Sequence, residues 1–422
     1  MKKYAMMVLG CKVNDYEATY VRERMNEHFE EVSFKDEADI YLIFTCCVTN
    51  TAESKTRKFI HDARRRNPDA YIAAIGCLSQ IKPEHEVFRD VDLLIGSENK
   101  DRIVDLILED QKINLVSRDI DPEFEDLFIH SYPTKSRAFL KVQDGCNQFC
   151  SYCIIPYARG RERSGDHIRL LEEARELALN HKEIVLTGIH TGRYNDGSYD
   201  LYHLLKDLVS IDGLETIRLS SIEITEIFDE IIDLMKNNSK LAHHLHIPVQ
   251  SMDDTILKEM NRPYTVKEYL ERIAYIRSQI PNISISTDLI VGFPGESDEL
   301  FRNTLENLSR AEFSFIHIFP YSHKSGTAAD AMKGHIDPRI KKSRVDQVME
   351  LDRKLRKNYR NSFINKDVEV LIERSDGTDS FGYSKEYIYV RVRGEWPIGS
   401  LQKVRIDQTE TEVIGHVAEQ TV

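Results

Sequence analysis

The sequence of 422 residues lacks features that define several common protein classes. No apolar run reaches the ~20 residues of a membrane-spanning helix, so no such helix is predicted. Acidic residues outnumber basic ones, 70 to 57, and the net charge of −13 excludes a simple, wholly basic nucleic-acid binder. No A-x-A-type cleavage site follows the short apolar stretch at the N-terminus. We therefore interpret that stretch as a core strand and expect a cytoplasmic protein.

Cysteine is scarce, and its pattern argues against structural disulfides. There are seven cysteines, an odd number, in a long chain without an evident secretory signal. Several lie beside glycines typical of turns, which favours metal ligation. The hydrophobic content of 41% and charged content of 30% are those of a globular chain, and the length predicts two or three domains.

The first part of the chain, residues 1–120, alternates strand-like apolar runs with polar helical stretches. This rhythm predicts an open, mostly parallel α/β sheet. The predicted strands are 4–9, 40–45, 71–75, 91–95 and 113–116.

After an acidic linker a second series of strands and helices spans residues 132–360 and predicts a partial (β/α) barrel, whose closure the sequence leaves open. Its predicted strands are 138–142, 183–187, 216–220, 244–248, 283–288 and 313–319. The last part, residues 361–422, has short strands without helices and predicts a small antiparallel β-barrel. Its predicted strands are 367–373, 386–393, 401–406 and 412–416.

A predicted helix at 339–360 carries nine Lys and Arg against three acidic residues. This excess indicates either a patch that contacts nucleic acid or a solvated helix face. The C-terminal part has the opposite balance, because residues 363–422 hold seven basic and eleven acidic residues. Any nucleic-acid contact there must use a local face, for which the candidates are Arg391, Arg393, Lys403 and Arg405. Trp396, Tyr387 and Tyr389 either stack on bases or fill the small core.

Three cysteines, Cys146, Cys150 and Cys153, have the spacing C-x3-C-x2-C directly after a predicted barrel strand. Cysteine thiolates are the usual protein ligands of [4Fe–4S] clusters, and three of them leave one iron open for another molecule. A structural zinc loop is the alternative, but zinc prefers four ligands and no fourth lies nearby in sequence. The position after a strand matches the C-terminal face where barrels carry active sites.

Three further cysteines each follow a predicted strand of the first domain: Cys11, Cys46 and Cys77. Strand ends at the carboxyl edge of an open α/β sheet converge on one crevice, so these thiols are expected to meet at a second cluster. Three unrelated buried core cysteines are the alternative. Cys47 neighbours Cys46 and is expected to point elsewhere, so we take Cys46 as the ligand.

Over nearly its full length the sequence resembles the methylthiotransferases of the radical S-adenosylmethionine (SAM) superfamily. The stretches that carry the resemblance are LGCKVNDYEA (9–18), CNQFCSYCIIPYARGRERS (146–164), LTGIHTG (186–192), IRLSSIE (217–223), HLHIPVQS (244–251), MNRPYT (260–265), STDLIVGFPGE (286–296) and HIFPYSHKSGT (317–327).

The resemblance implies three domains: a cluster domain, a radical SAM barrel and a C-terminal TRAM-like β-barrel. It also implies two [4Fe–4S] clusters and a reaction that replaces a C–H bond with C–SCH3. One SAM would donate a methyl group to sulfur, and another would supply the radical that activates the carbon. An electron donor and a sulfur donor of unknown identity are further expected partners.

The branches of this family differ in substrate. GCKVN at 10–14 resembles the branch that acts on N6-threonylcarbamoyladenosine at position 37, beside the tRNA anticodon. The isopentenyladenosine branch typically reads GCQMN there, and the branch that modifies a ribosomal-protein aspartate reads GCPKN or GCAKN. Those two substrates are the alternatives, and a non-catalytic iron–sulfur protein that binds RNA or senses redox state is a third.

Six residues outside the cysteine sets are predicted to bind SAM or shape its cavity. The family places an aromatic residue beside the adenine where Tyr152 stands. Gly292 would let the backbone approach the adenine of SAM, and Gly188 would let it approach the methionyl part. The alternative is that both are ordinary turn glycines after barrel strands. The other candidates lie at strand ends: Ser221, Glu223 and Gln250. Arg159, Arg161 and Arg163 flank the cysteine loop and either contact phosphate or are solvated.

Overall fold

The computed structural model describes residues 1–133 and 135–418, apart from the side chain of Asn50. Its N-terminal part is a six-stranded sheet in the order β2-β1-β3-β4-β5-β6, with every neighbouring pair parallel. The strands are β1 (Lys3–Val8), β2 (Glu30–Val32), β3 (Ile40–Thr45), β4 (Tyr71–Gly76), β5 (Leu93–Ile95) and β6 (Ile113–Asn114). The helices are α1 (Lys12–Asn26), α2 (Asn50–Arg66), α3 (Cys77–Ile81) and α4 (Ile103–Leu108).

The centre of this sheet is buried on both faces, since every residue of β3 and β4 is buried. Such strands read as continuous apolar runs, which is why the sequence located them to within a residue. The strand β2 was not predicted, because it is a three-residue edge strand of two acidic residues and one valine.

The central part places six strands in two three-stranded parallel sheets, β13-β10-β7 and β14-β15-β16. Single bridges at Ile217–Leu241 and Ser221–His246 join the two sheets into one arc. Among the described residues β16 does not pair with β7, so the arc is a partial (β/α) barrel, as predicted.

The six barrel strands are β7 (Arg137–Lys141), β10 (Glu183–Thr187), β13 (Thr216–Leu219), β14 (His244–His246), β15 (Ser284–Val291) and β16 (Phe315–Pro320). Two short pairs accompany them: β8 (Gln143–Asp144) with β9 (Arg163–Ser164), and β11 (Asn195–Asp196) with β12 (Tyr199–Asp200). The helices are α5 (Ile155–Arg159), α6 (His167–Ala178), α7 (Leu201–Leu208), α8 (Asp229–Asn237), α9 (Asp254–Glu259), α10 (Val266–Gln279), α11 (Asp298–Ala311) and α12 (Pro338–Asn361). Single 3₁₀ turns lie at Glu86–Phe88, Lys100–Arg102, Thr191–Arg193, Ile224–Glu226 and Ala328–Ala331.

The C-terminal part is a closed barrel in the order β17-β18-β19-β21-β20. All its neighbouring strands are antiparallel except β19 and β21, which are parallel. The strands are β17 (Asp367–Ser375), β18 (Asp379–Ser384), β19 (Tyr389–Arg393), β20 (Leu401–Gln408) and β21 (Val413–Val417). The three-part α/β fold class predicted from the sequence is confirmed.

A buried group of charges joins the N-terminal sheet to the barrel. The Glu17 carboxylate on α1 lies 2.5 Å and 3.1 Å from the two terminal nitrogens of Arg159, which is the last residue of α5. Lys141, the last residue of β7, lies 3.2 Å from the same carboxylate. Because these side chains are all fully buried, they fix the position of α1 against the barrel.

No helix in the described ranges is both long enough and apolar enough to cross a membrane.

Candidate active site

The loop that carries Cys146, Cys150 and Cys153 curls at the end of β8. Phe149 takes a left-handed conformation, with φ of 48°, which turns the chain between the first two cysteines. The Cys153 N–H donates to the Cys150 carbonyl at 2.9 Å. The Ser151 hydroxyl donates to the Glu259 carbonyl at 2.7 Å, which ties the loop to α9. All three thiols are half-buried and free of disulfides, as an accessible three-cysteine ligand set requires.

Cationic side chains lie beside two of these thiols. Arg262 donates to Cys150 Sγ at 3.5 Å and forms an ion pair with Glu223. His190 Nδ1 lies 3.5 Å from Cys146 Sγ and 3.1 Å from the Glu162 carboxylate. Burial by itself lowers the pKa of His190, but its hydrogen bonds to Cys146, Glu162 and Glu226 raise it to about 12. Positive charge at these positions stabilises thiolates, the form that binds metal.

The second set, Cys11, Cys46 and Cys77, lies on neighbouring strands. Cys11 follows β1, Cys46 follows β3 and Cys77 follows β4, and these strands are adjacent in the sheet. Gly10, with φ of 106°, packs so closely on Cys46 that a Cβ there would lie 3.3 Å from Cys46 Sγ. The three thiols lie close enough to interact electrostatically. In addition to burial, the charge of Cys77 raises the pKa of Cys11, and the charges of Cys77 and Cys11 raise the pKa of Cys46. The carboxyl edge of the sheet therefore brings these cysteines together.

Arg159 links the second cysteine set to the first. It follows the cysteine loop on α5, and its Nε donates to Cys77 Sγ at 3.2 Å. The expectation that Cys47 points elsewhere is wrong, because its thiol donates a hydrogen bond to Cys77. This hydrogen bond and the charge of Arg159 lower the pKa of Cys77 to about 6, against the effect of burial. For Cys46, in contrast, burial is the largest effect and raises the pKa to about 11. Cys77 is thus the thiol of this set that the protein holds most readily as a thiolate.

Two cavities adjoin the two cysteine sets. The first, of about 420 Å³, is lined by Tyr152 and Cys153 and is mostly apolar. The second, of about 470 Å³, is lined by Cys11. Asp288 and Phe319 line both cavities, so the two spaces meet at these side chains. Asp288 is oriented by His246, whose Nε2 lies 3.2 Å from its carboxylate.

The six predicted SAM-binding residues fall in different places. Tyr152 and Gln250 line the first cavity, where Gln250 has a left-handed φ of 66°. Ser221 lines the second cavity, and Glu223 is held by Arg262.

The two predicted glycines make close contacts with other side chains. Gly188 packs on Gln143, and Gly292 packs on Lys341 of α12, where a Cβ would lie 2.4 Å from Lys341 Cγ. Neither glycine is among the residues that line the two cavities in the described part of the chain.

Several residues of the site have roles that the sequence did not reveal. Arg159 and Arg163 are buried and bind carboxylates, so they are neither solvated nor available to phosphate. Arg161 is exposed and stacks on Phe149. Arg262 lies in the quoted MNRPYT stretch and His190 in LTGIHTG, but nothing in sequence spacing distinguishes a buried cation from a solvated one.

A groove between α12, the partial barrel and the C-terminal barrel is lined by aromatic and basic side chains. Tyr387 stacks on His244 with ring centroids 4.4 Å apart and on Tyr383 at 4.7 Å. Arg356 and Arg360 of α12 line the same groove. Since Tyr387 also lines the second cavity, the groove leads toward Cys11.

Three of the four basic residues predicted on the C-terminal barrel face carboxylates. Arg391 pairs with Asp379 and Glu412, while Lys403 and Arg405 both pair with Asp367. Trp396 packs against the small core and donates to the Arg393 carbonyl at 3.0 Å.

The partial barrel with a three-cysteine loop at its strand ends defines a radical SAM protein. A family model described as "Radical SAM superfamily" matches residues 140–308, and one described as "Uncharacterized protein family UPF0004" matches residues 3–96.

Two relatives extend over almost the whole chain. It is 38% identical over 423 residues to the threonylcarbamoyladenosine tRNA methylthiotransferase MtaB of Bacillus subtilis (strain 168), covering 96% of this chain and 94% of that protein. It is 34% identical over 430 residues to a tRNA-2-methylthio-N(6)-dimethylallyladenosine synthase of Alkaliphilus oremlandii (strain OhILAs), covering 97% of this chain and 91% of that protein. The chain belongs to the methylthiotransferase family of the radical SAM superfamily, as its motifs predicted.

A solved structure shares the fold. It is the radical SAM methyltransferase TsrM from Kitasatospora setae, with cobalamin and a [4Fe-4S] cluster bound. The TM-score is 0.59 at 14% identity, over 78% of this chain and 77% of that one, so the likeness concerns the fold alone.

Proposed function

We propose that this protein is a tRNA methylthiotransferase that converts N6-threonylcarbamoyladenosine at position 37, next to the anticodon, to its 2-methylthio derivative. The observation that carries the proposal is the pair of cavities that meet at Asp288 and Phe319, one beside each cysteine set. A reaction that activates a carbon at one site and adds sulfur from another needs such adjacent spaces. The name of the Bacillus subtilis relative supports the choice of substrate.

In the proposal, Cys146, Cys150 and Cys153 hold one [4Fe–4S] cluster and Cys11, Cys46 and Cys77 hold another. Both cysteine sets are suited to hold a [4Fe–4S] cluster, because each offers three thiols without disulfides and a neighbouring cation that favours thiolates. When bound, the first cluster and SAM supply the radical that activates C2 of the base, and the second cluster supplies sulfur.

The chain's own residues would bind and orient the reactants. SAM would lie in the cavity lined by Tyr152 and Gln250, whose apolar walls exclude water from the reacting atoms. The adenine would enter the cavity lined by Cys11 through the adjoining groove, which shares Tyr387 with this cavity. Asp288, held by His246, would lie between the two reactants.

The remaining parts of the proposal follow from the sequence. Gly188, Ser221, Glu223 and Gly292 remain candidate cofactor-binding residues, and the domains are taken as residues 1–120, 132–360 and 361–422. We further propose a cytoplasmic location, and an electron donor and a sulfur donor as partners.

The test is an anaerobic assay of the reconstituted enzyme with SAM, a reductant, a sulfur source and tRNA that carries threonylcarbamoyladenosine. Digested nucleosides are analysed by mass spectrometry, and a 2-methylthio derivative is expected. We expect roughly eight irons per chain for two [4Fe–4S] clusters.

Two variants separate the roles of the cysteine sets. Cys11→Ala is expected to keep 5′-deoxyadenosine formation but to lose the methylthio product, whereas Cys146→Ala is expected to lose both. Equal loss of both activities in Cys11→Ala would contradict separate roles for the two sets.

The second candidate substrate is dimethylallyladenosine in tRNA, favoured by the name of the Alkaliphilus oremlandii relative. The same assay with that tRNA distinguishes the two. Product only from dimethylallyladenosine, or only from a ribosomal-protein peptide, would overturn the proposed substrate. Absence of 5′-deoxyadenosine under all conditions would instead favour a non-catalytic iron–sulfur protein.

A further inference from the structure

Lys12 lies inside the second cavity, directly after Cys11 and at the start of α1. The side chain is exposed, and the space that it faces is this cavity. Within the described ranges no hydrogen bond or ion pair engages its ammonium group. A cation that opens into a cavity without a partner is available to an anionic ligand.

Lys12 differs from the two other cations that line the cavity, because no carboxylate of the described residues contacts it. Arg137 and Arg218 line the cavity beside it, and both pair with the same carboxylate, Glu183. Arg137 also pairs with Glu373, which belongs to the C-terminal barrel. Asp288 is the one carboxylate that lines the cavity within the described part of the chain, and His246 contacts it. Two carboxylates thus pair with the arginines and the third contacts His246, which leaves Lys12 without a carboxylate in contact.

The proposed substrate carries one group that suits such a site. A threonylcarbamoyl substituent ends in a carboxylate, whereas a dimethylallyl substituent has no charge. The substituent is attached at N6, and in the adenine ring only N1 and C6 separate N6 from C2. A base with C2 directed at the Cys11 side of the cavity therefore brings its N6 substituent close to the residues next to Cys11.

We infer that Lys12, with Arg137 and Arg218 behind it, binds the carboxylate of the N6 substituent and so selects the carboxylated base. This inference rests on the proposed function and assigns its substrate specificity to one side chain. Charge-assisted hydrogen bonds to a carboxylate in a partly dehydrated cavity are stronger than neutral ones, so they discriminate between charged and neutral substituents.

The test compares four combinations, in which each of two enzymes is assayed with each of two RNAs. The wild-type enzyme and Lys12→Gln are each assayed with an anticodon stem-loop that carries threonylcarbamoyladenosine, and with the same RNA in which the threonyl carboxylate is a methyl ester. For the wild type we expect kcat/KM to be about ten- to a hundredfold lower on the ester. For Lys12→Gln we expect a similar loss on the acid and little further loss on the ester. Dissociation constants from fluorescence anisotropy are expected to show the same pattern.

Lys12→Arg, which keeps the charge, is expected to retain most of the preference for the acid. Lys35→Gln is the matched control, because Lys35 is exposed on the N-terminal domain outside the cavity, and it is expected to behave as wild type. Iron content is measured for every variant, so that a defect in cluster loading is recognised.

Three results would overturn the inference. They are equal wild-type activity on the acid and ester RNAs, an unchanged preference of Lys12→Gln for the acid RNA, or an equal loss of activity on both RNAs in Lys12→Gln. The last would place Lys12 against backbone phosphate or in sulfur delivery. If the wild-type enzyme methylthiolates neither RNA, the proposed function itself fails, which is a separate outcome.

Discussion

Glu173 on α6 is a carboxyl group buried where α1 packs on the barrel. The Tyr16 hydroxyl donates to its two oxygens at 2.9 Å and 3.1 Å, and no cationic side chain pairs with it among the described residues. Burial raises its pKa well above the ordinary 4.5, and the hydrogen bond from Tyr16 only partly offsets the effect. The folded protein therefore holds this proton more tightly than the unfolded chain does.

The sign of the pH dependence follows from that difference. The stability contributed by a protonated Glu173 is present below the unfolded pKa and is lost as pH rises toward the folded pKa. Glu173→Gln removes the titration, so its unfolding free energy should rise relative to wild type above pH ~4.5, by at most about 1.4 kcal/mol per pH unit. Urea unfolding at pH 5 and pH 8 measures this. Glu172→Gln, on the exposed side of α6, is the control, and a wild-type curve parallel to that of Glu173→Gln would contradict the prediction.

At the residue scale the sequence predicted the cysteines but not the side chains that act on them. Spacing alone identifies Cys146, Cys150 and Cys153, because all three lie in one loop. The contact of Arg159 with Cys77 depends on how two domains pack, which no local pattern encodes. The same holds for Glu17, whose partners come from three separate segments of the chain.

At the scale of elements, α12 divides its basic residues between two uses. Lys341 and Arg344 are buried against the barrel, so the excess of charge in the sequence overstates the exposed patch. Arg356 and Arg360 instead line the groove with the aromatic residues of the C-terminal barrel. Burial and the neighbouring charge of Arg356 lower the pKa of Arg360, and no ion pair within the described residues neutralises it.

This arrangement predicts that Arg360 contacts tRNA phosphate. Arg360→Ala should weaken tRNA binding and reduce the slope of log K against log salt concentration by about 1, because one counterion-releasing contact is lost. Filter binding or anisotropy over a range of salt concentrations measures it. Lys342→Ala, an exposed position on the same helix outside the groove, should change neither quantity. An unchanged slope for Arg360→Ala would exclude the groove as the tRNA path.

The sequence predicted elements well where apolar runs mark them and poorly where they do not. The barrel strand β10 was predicted with its observed bounds, since all five of its residues are buried. The strand β18 was missed, because its sequence DSFGYS has no aliphatic residue and mixes two aromatic residues with small and polar ones. It is a strand because Gly382 lets it lie against β17, where a Cβ would be 1.7 Å from the Leu371 carbonyl oxygen.

At the scale of the whole molecule, Glu17 holds α1, which follows Cys11, against α5, which follows the cysteine loop at 146–153. We call this contact the junction between the two cysteine sets. Burial by itself would raise the pKa of Glu17, but Arg159, Lys100 and Lys141 lower it to about 2. Its removal leaves three buried cations with too few partners. The helix α1, which follows Cys11, would then be held less firmly against α5, which follows Cys153.

Glu17→Gln should lower the unfolding free energy by about 3–5 kcal/mol, the usual cost of breaking a buried charge network. It should also lower the yield of methylthio product per 5′-deoxyadenosine, because the two sites lose their fixed separation. Chemical unfolding and the product ratio measure the two effects. Glu31→Gln, which breaks a surface pair with Arg22, should cost less than about 1 kcal/mol and is the control. A normal product ratio in Glu17→Gln would show that the junction does not set the geometry of transfer.

The two cysteine sets also differ in when during biogenesis they come into existence. Cys146, Cys150 and Cys153 lie within one short loop, so a nascent chain can present them to an iron–sulfur carrier early. Cys11, Cys46 and Cys77 meet only after β1, β3 and β4 have paired. Loading of the second set is therefore coupled to folding, and chains that acquire iron only at the loop are the expected immature form in cells short of iron.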